Sequence, residues 1–286
     1  MTYISQINFP TANQESDFIC GIRGTSYDTF YPFRVLSARG RNLEKIDFDP
    51  ITILYGGNGS GKSTALNIIA EKLAINRDSV FNKSNFYPDY LKMCEVKLST
   101  NLPKSSRIIT SDDVFDYMLN IRNINEGIDQ RREDIFQDYL DTKNTKFQLQ
   151  SLEDYEQLNK IVKTRTQTQS KYVRNNLMDN LPEISNGESA FKYFTERITQ
   201  DSLYILDEPE NSLSPNHQIQ LARFIEDSAR FYNCQIIMAT HSPFLLAINA
   251  KVYDLDASPA QVKHWTELEN IRIYHNFFKK LNLHDN

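Results

Sequence analysis

A chain of 286 residues with 40% apolar and 12% aromatic side chains can bury a full core. That excludes disorder as its main state and leaves one large α/β domain or two small ones. A formal charge of −5 argues against holding nucleic acid by an overall field, so any basic site must be local.

Cys20, Cys94 and Cys234 are too widely spaced for a disulfide framework or a paired metal knuckle. The start, Met1 to Asn8, is polar without a signal pattern, and no apolar run approaches the ~20 residues of a membrane span. A cytoplasmic protein without membrane insertion is expected.

In chain order, residues 1 to 55 read as short strands and turns. Ile4, Ile7 and Phe9 form one run, Ile46 and Phe48 another, and Ile51, Ile53 and Tyr55 a third. A glycine cluster follows, then an apolar helical pattern from Leu66 to Leu73. From about Ser111 to Asn180 the chain is polar, poor in glycine and helix-like. Leu149, Leu152, Tyr155, Leu158 and Ile161 recur there at spacings of three, as one stripe on a charged helix. Lys160, Lys163, Arg165, Lys171 and Arg174 stand in a stretch without an acid, which reads as a solvated face or as a contact for DNA phosphates or an acidic partner. Leu203–Leu206 and Gln235–Ala239 are buried-strand candidates, separated by a helix that Ser214 and Pro215 should start. A last helix is expected to open with Thr266 and Glu269 as a capping box. Its stripe of Leu268, Ile271, Tyr274, Phe278 and Leu281 is expected to pack into the core.

Chemistry concentrates at three places. Gly56, Gly57, Asn58, Gly59, Ser60, Gly61, Lys62, Ser63 and Thr64 follow a strand and satisfy G-x-x-x-x-G-K-[ST]. Four of the nine glycines of the chain lie here, too many for a chance turn. Backbone N–H groups can surround phosphate only where no Cβ intrudes, and the helix that follows adds its dipole. Lys62 would neutralise the β- and γ-phosphates of ATP, Ser63 would ligate Mg²⁺ and Thr64 could reach the α-phosphate.

The strand Leu203–Leu206 then delivers Asp207 and Glu208 at its C-terminal end. Asp207 would hold the magnesium shell, and Glu208 would take a proton from the attacking water or orient it. His241 follows the strand Gln235–Ala239 and could sense the γ-phosphate. Glu208, His241 and Lys62 are thus the candidate catalytic residues.

In this order, loop, carboxylate pair and histidine resemble the ATP-binding-cassette (ABC) ATPases. Ser185, Asn186, Gly187, Glu188 and Ser189 match the S-x-G-E form of their signature, with Asn186 where many members carry glycine. The resemblance implies that Ser185 and Gly187, with Glu188 beside them, bind the γ-phosphate held by a second copy, giving a homodimer on ATP binding. Glu210 to Pro215 resembles the D-loop of the branch that includes the SMC, RecF-like and overcoming-lysogenisation-defect proteins. More narrowly, the chain resembles small bacterial proteins labelled AAA family ATPases.

The implied fold is an α/β P-loop NTPase of ABC type: a mixed sheet with an N-terminal antiparallel β part and an inserted helical subdomain. Residues 1–110 and 200–286 would form the nucleotide-binding core and 111–199 the insert with the signature. One departure stands out. The family places a glutamine where insert and core join, and no glutamine occurs between Gln14 and Gln130; Ser111, Asp112 or Asp113 occupies that stretch. Tyr31 and Phe33 are candidates for the adenine contact, with packing as the commoner role.

Three functions follow in order of preference. The first is an ATP-driven dimerising switch working in DNA-associated repair or defence, with DNA or a separately encoded effector protein as partner. The second is the nucleotide-binding subunit of a transporter, and the third an ATP-binding regulatory module without turnover.

Overall fold

The computed structural model describes residues 2–22, 29–144, 162, 164, 166, 168–177 and 185–281. The stripe Leu149, Leu152, Tyr155, Leu158 and Ile161, and Lys160, Lys163 and Arg165 of the basic stretch, lie outside the described residues. The chain divides into two compact units: Met1–Phe115 with Asn186–Asn286, and Asp116–Ser185.

The first unit holds two sheets. The smaller is antiparallel, with β1 (Ile4–Asn8) between β2 (Lys45–Asp47) and β4 (Glu95–Leu98). The larger is built on β3 (Ile51–Tyr55) and takes the order β5 (Arg107–Thr110), β6 (Leu203–Asp207), β7 (Gln235–Ala239), β3, β8 (Lys251–Asp254) and β9 (Gln261–Lys263). Its first five strands run parallel, and β9 closes the edge antiparallel to β8. The expected mixed α/β architecture, with an antiparallel N-terminal part, is therefore present.

Parallel strands covered on both faces need continuous apolar runs, and β3 and β7 are buried at every position. Polar Gln235 is nevertheless fully buried at the start of β7. Its Oε1 accepts from the Tyr3 and Ile4 amides at 2.7 and 2.9 Å, and its Nε2 donates to the Ile4 carbonyl at 2.8 Å. It thereby takes up backbone groups of β1 and its flank and joins the two sheets. Against the large sheet, α2 (Lys62–Lys72) buries Ala65, Leu66, Ile68, Ile69 and Ala70.

Two N- and C-terminal expectations are corrected. Within the first 55 residues, read as short strands and turns, lies α1 (Ala12–Gly21), started by a capping box of Thr11 and Gln14. Its Glu15 is buried and accepts from the Arg34 amide at 2.6 Å, the Ser37 hydroxyl at 2.7 Å and the Tyr90 hydroxyl at 3.3 Å. A helix held by a buried carboxylate leaves no apolar period to read.

At the other end, α9 (Glu269–Lys280) starts from Leu268, while His264 and Glu267, not Thr266 and Glu269, form a capping box on the short 3₁₀ turn before it. No residue of the helix itself is fully buried, and only Asn270 and Ile271 are half-buried. Tyr274, Phe278 and Leu281 are 45%, 50% and 55% exposed, and of the predicted stripe only Leu268 enters the core. The remaining helices of this unit are α3 (Tyr87–Met93), α6 (Asn186–Arg197), α7 (Pro215–Phe231) and α8 (Pro243–Leu246), with the first turn of α4 (Ser111–Asn144). Ser214 caps α7 through the His217 amide, with Pro215 in the first turn.

In the second unit, the rest of α4 meets α5 (Gln169–Asn176), where the Tyr139 and Tyr172 rings lie 5.4 Å apart and the Tyr172 hydroxyl donates to Asp138 at 3.2 Å. Lys171 and Arg174 of the basic stretch are exposed on α5.

Candidate functional site

Because β5, β6, β7, β3 and β8 run parallel, their C-terminal ends share one rim, where α/β sheets hold ligands. Register places Asp207 between Thr110 of β5 and Ala239 of β7, and Leu54, the residue before Tyr55, also opposite Ala239.

Two of the glycines after β3, Gly56 and Gly61, leave no room for a Cβ. A Cβ on Gly56 would stand 2.7 Å from the Ser60 hydroxyl, and one on Gly61, at φ +96°, would stand 2.9 Å from Leu36. The Ser60 amide closes the turn onto the Gly57 carbonyl at 3.1 Å, and Asn58 is exposed at the tip. Two residues brace the loop from outside. Arg41 donates to the Gly59 carbonyl at 3.0 Å, and Asp256, just past β8, accepts the Gly57 amide at 2.6 Å.

Inside the loop, the Lys62 ammonium donates to the Gly56 and Gly57 carbonyls at 2.8 and 3.3 Å and lies 2.8 Å from His241 Nε2. With Lys62 protonated, the ammonium is the donor in this contact. Burial lowers the Lys62 pKa, opposed by the nearby Glu208 and Asp207 carboxylates. The Ser63 hydroxyl donates to Asp207 Oδ1 at 3.1 Å. Burial is also the main force on Asp207; the Ser63 hydrogen bond opposes it, Glu208 adds to it, and the pKa is raised from 3.8 to about 6.

Glu208 sits at φ +49°, its amide donating to the Ala239 carbonyl at 2.9 Å, and its Oε1 is 3.8 Å from His241 Nε2. Lys62, Ser63, Asp207, Glu208 and His241 thus converge on one point. Beside it opens a cleft of about 770 Å³ whose wall includes Tyr31, Thr64, Arg77, Ser111 and Asp112 along with Ser63 and Asp207.

Of the three residues standing where a glutamine was expected, Asp113 is buried and accepts from the Thr110 amide and hydroxyl at 2.7 and 2.9 Å. It is occupied in starting α4. Ser111 and Asp112 face the cleft. Phe33 is a core residue, stacked on Phe18 at 4.7 Å, whereas the Tyr31 hydroxyl reaches Thr64 Oγ1 at 3.3 Å.

Ser185, Asn186 and Glu188 are exposed around the start of α6. Gly187 lies so close to the segment after β6 that an added Cβ would meet His217 Nδ1 at 2.9 Å and the Ser212 carbonyl at 3.6 Å. Phe191 stacks on the same His217 ring at 6.1 Å. Gly187 and Phe191 of α6 therefore pack against Ser212 and His217.

A family model described as "AAA domain, putative AbiEii toxin, Type IV TA system" matches residues 70–247, more than half of the chain. The chain belongs to this AAA domain family. The matched stretch takes in the signature turn, β6 with its carboxylates, β7 and His241, and begins after the phosphate loop. Among solved structures, an inward-facing metal-chelate type ABC transporter is 18% identical, covering 80% of this chain and 77% of that one, at a TM-score of 0.38. A dimeric post-hydrolysis ATP-binding cassette bound to ADP and Pi is 12% identical, covering 79% and 90%, at a TM-score of 0.40. No curated protein sequence matches.

The AAA domain is built on a mainly parallel α/β sheet, with the phosphate-loop sequence directly after β3. Three of its contacts were not singled out from sequence. Asp256, Arg41 and Asn270 touch the loop or the His241 backbone, yet none belongs to a short motif. Asp256 alone gives a faint signal, an acid just beyond an apolar strand.

Proposed function

We propose that this AAA domain hydrolyses ATP with Mg²⁺ and that two copies close around shared ATP to form a homodimer. The observation that carries the reading is the convergence of the Ser63 hydroxyl on Asp207, 3.1 Å away, with Glu208 and His241 beside them. Two hard oxygen donors suit magnesium. An octahedral ion with bonds of about 2.1 Å sets neighbouring ligands about 3 Å apart, close to their present separation. Bound there, Mg²⁺ would neutralise charge on the phosphates.

The chain's own residues would do the rest. Loop amides other than those of Gly57 and Ser60, which bond Asp256 and the Gly57 carbonyl, would hold phosphate oxygens together with the α2 N-terminus. Lys62 would leave its two carbonyls for the stronger phosphate acceptors. Glu208 would orient the attacking water and accept its proton, while His241 would bond the γ-phosphate. Ser185, Gly187 and Glu188 would complete the site of the other copy. Support for that role comes from the exposure of Ser185 and Glu188 and from the packing of Gly187 against Ser212 and His217. The family description, which names a toxin–antitoxin system, favours a defence setting; the target we propose there is a separately encoded effector or DNA.

Glu208→Gln should bind ATP while slowing phosphate release by about 10² to 10⁴. With Mg²⁺ and ATP its solution mass should move from 33.3 kDa to about twice that. Ser185→Trp should abolish the shift. A mass unchanged while ATP is bound would refute the shared-site reading.

A further inference from the structure

We propose that Asn270, on the C-terminal helix α9, is a positioning residue that fixes the backbone of His241 and thereby aims its ring at the γ-phosphate. The inference rests on the functional reading above and adds a residue to that site. The His241 peptide is held on both sides. Its amide donates to Glu210 Oε1 at 2.5 Å, and its carbonyl accepts from Asn270 Nδ2 at 3.3 Å. The Asn270 amide donates in turn to the Tyr55 hydroxyl at 3.2 Å, and the Tyr55 ring meets the His241 ring edge-on at 6.5 Å. Tyr55 ends the strand that feeds the phosphate loop, so Asn270, Tyr55 and His241 close a ring of contacts around the imidazole.

Packing does not account for Asn270. No residue of its helix is fully buried, and the apolar side chain that ties this end of the chain to the core is Leu268, before the helix. What the first turn of α9 does bring inward is this amide side chain, whose Oδ1 is buried without a partner. A ring that must meet a phosphate oxygen needs its supports within about 0.5 Å and 10–20° of the productive geometry. One lost neutral hydrogen bond translates into about three- to tenfold in rate if it bears on that aim.

A double-mutant cycle on the full chain separates aiming from folding. Turnover is measured for wild type, Asn270→Ala, His241→Ala and the double variant, with ATP affinity and melting temperature alongside. Asn270→Ala should lower kcat about three- to tenfold in the wild-type background, leave KM within about twofold, and have no further effect once His241 is alanine. Equal losses in both backgrounds, or no loss in either, would overturn the positioning role. Asn270→Asp keeps the shape without the donor and should copy the alanine variant if the latter folds poorly; wild-type kcat in Asn270→Asp would also overturn the proposal. Wild-type protein without turnover, or His241→Ala at full rate, would instead bring down the functional reading, and the positioning role with it.

Discussion

Asp207 is pulled two ways: the metal role asks for an ionised carboxylate, while its burial at the end of β6 favours the protonated form. In the folded chain the pKa is raised from 3.8 to about 6. A carboxyl whose folded pKa lies above its unfolded one favours folding below the unfolded value, and that contribution is lost as pH rises through the folded value. The contribution of Asp207 to the stability of the nucleotide-free protein is therefore expected to fall between about pH 4 and 6, by about 3 kcal/mol at pH 8 for a shift of about two units. Asp207→Asn keeps an oxygen to accept from Ser63 without ionising. In metal-free buffer it should unfold later than wild type, by about 3 kcal/mol at pH 8 and about half that at pH 5, while losing Mg²⁺-dependent turnover. Urea unfolding at the two pH values measures this. A gain independent of pH would show that burial of charge is not the cause. A residue that destabilises the empty protein is what a site built for a cation looks like before the cation arrives.

Elements were legible where burial and composition agree. Strands β3, β6 and β7 are mainly apolar runs because both faces are covered, and they carry the phosphate loop, the carboxylate pair and His241 at one rim. Strands β4, β5, β8 and β9 span three or four residues each, too few to establish a period, and α1 is marked by a cap rather than a stripe. The last helix shows the opposite failure. Its periodicity was plain and correctly indicated a helix, but periodicity says only that one face is apolar, not what covers it. The difference is measurable. Leu268 is fully buried, so Leu268→Ala should destabilise by about 2–5 kcal/mol. Phe277 is 57% exposed, so Phe277→Ser should stay within about 0.5 kcal/mol of wild type. Thermal unfolding of the two variants side by side is the check, and a large loss for Phe277→Ser would mean that the face is covered in solution.

For the first unit as a whole, the question is what makes two sheets one body. Their apolar faces share a core, in which Ile4, Ile7 and Ile46 of the small sheet meet Leu54, Ile205 and Ile237 of the large one. Apolar contact sets no register, whereas Gln235 does. Its amide takes the Tyr3 and Ile4 N–H groups and the Ile4 carbonyl, fixing β1 along the start of β7. From sequence Gln235 is the first residue of a buried-strand candidate and has no role of its own, because nothing local shows that the chain start, 231 residues away from it at Ile4, will need those bonds. Gln235→Leu would fill similar volume and leave three backbone groups buried and unpaired, each costing about 1–3 kcal/mol. We expect a loss of about 3–5 kcal/mol in urea unfolding, with part of it recovered wherever water reaches the freed groups. Hydrogen exchange locates the damage. Protection should fall first at Tyr3 and Ile4 and along β1, while β3 and β7 keep theirs, since their ladder bonds are to each other and to β6 and β8. Protection lost evenly across both sheets would instead make Gln235 an ordinary core side chain, and the shared apolar face alone would then have to hold β1 in place.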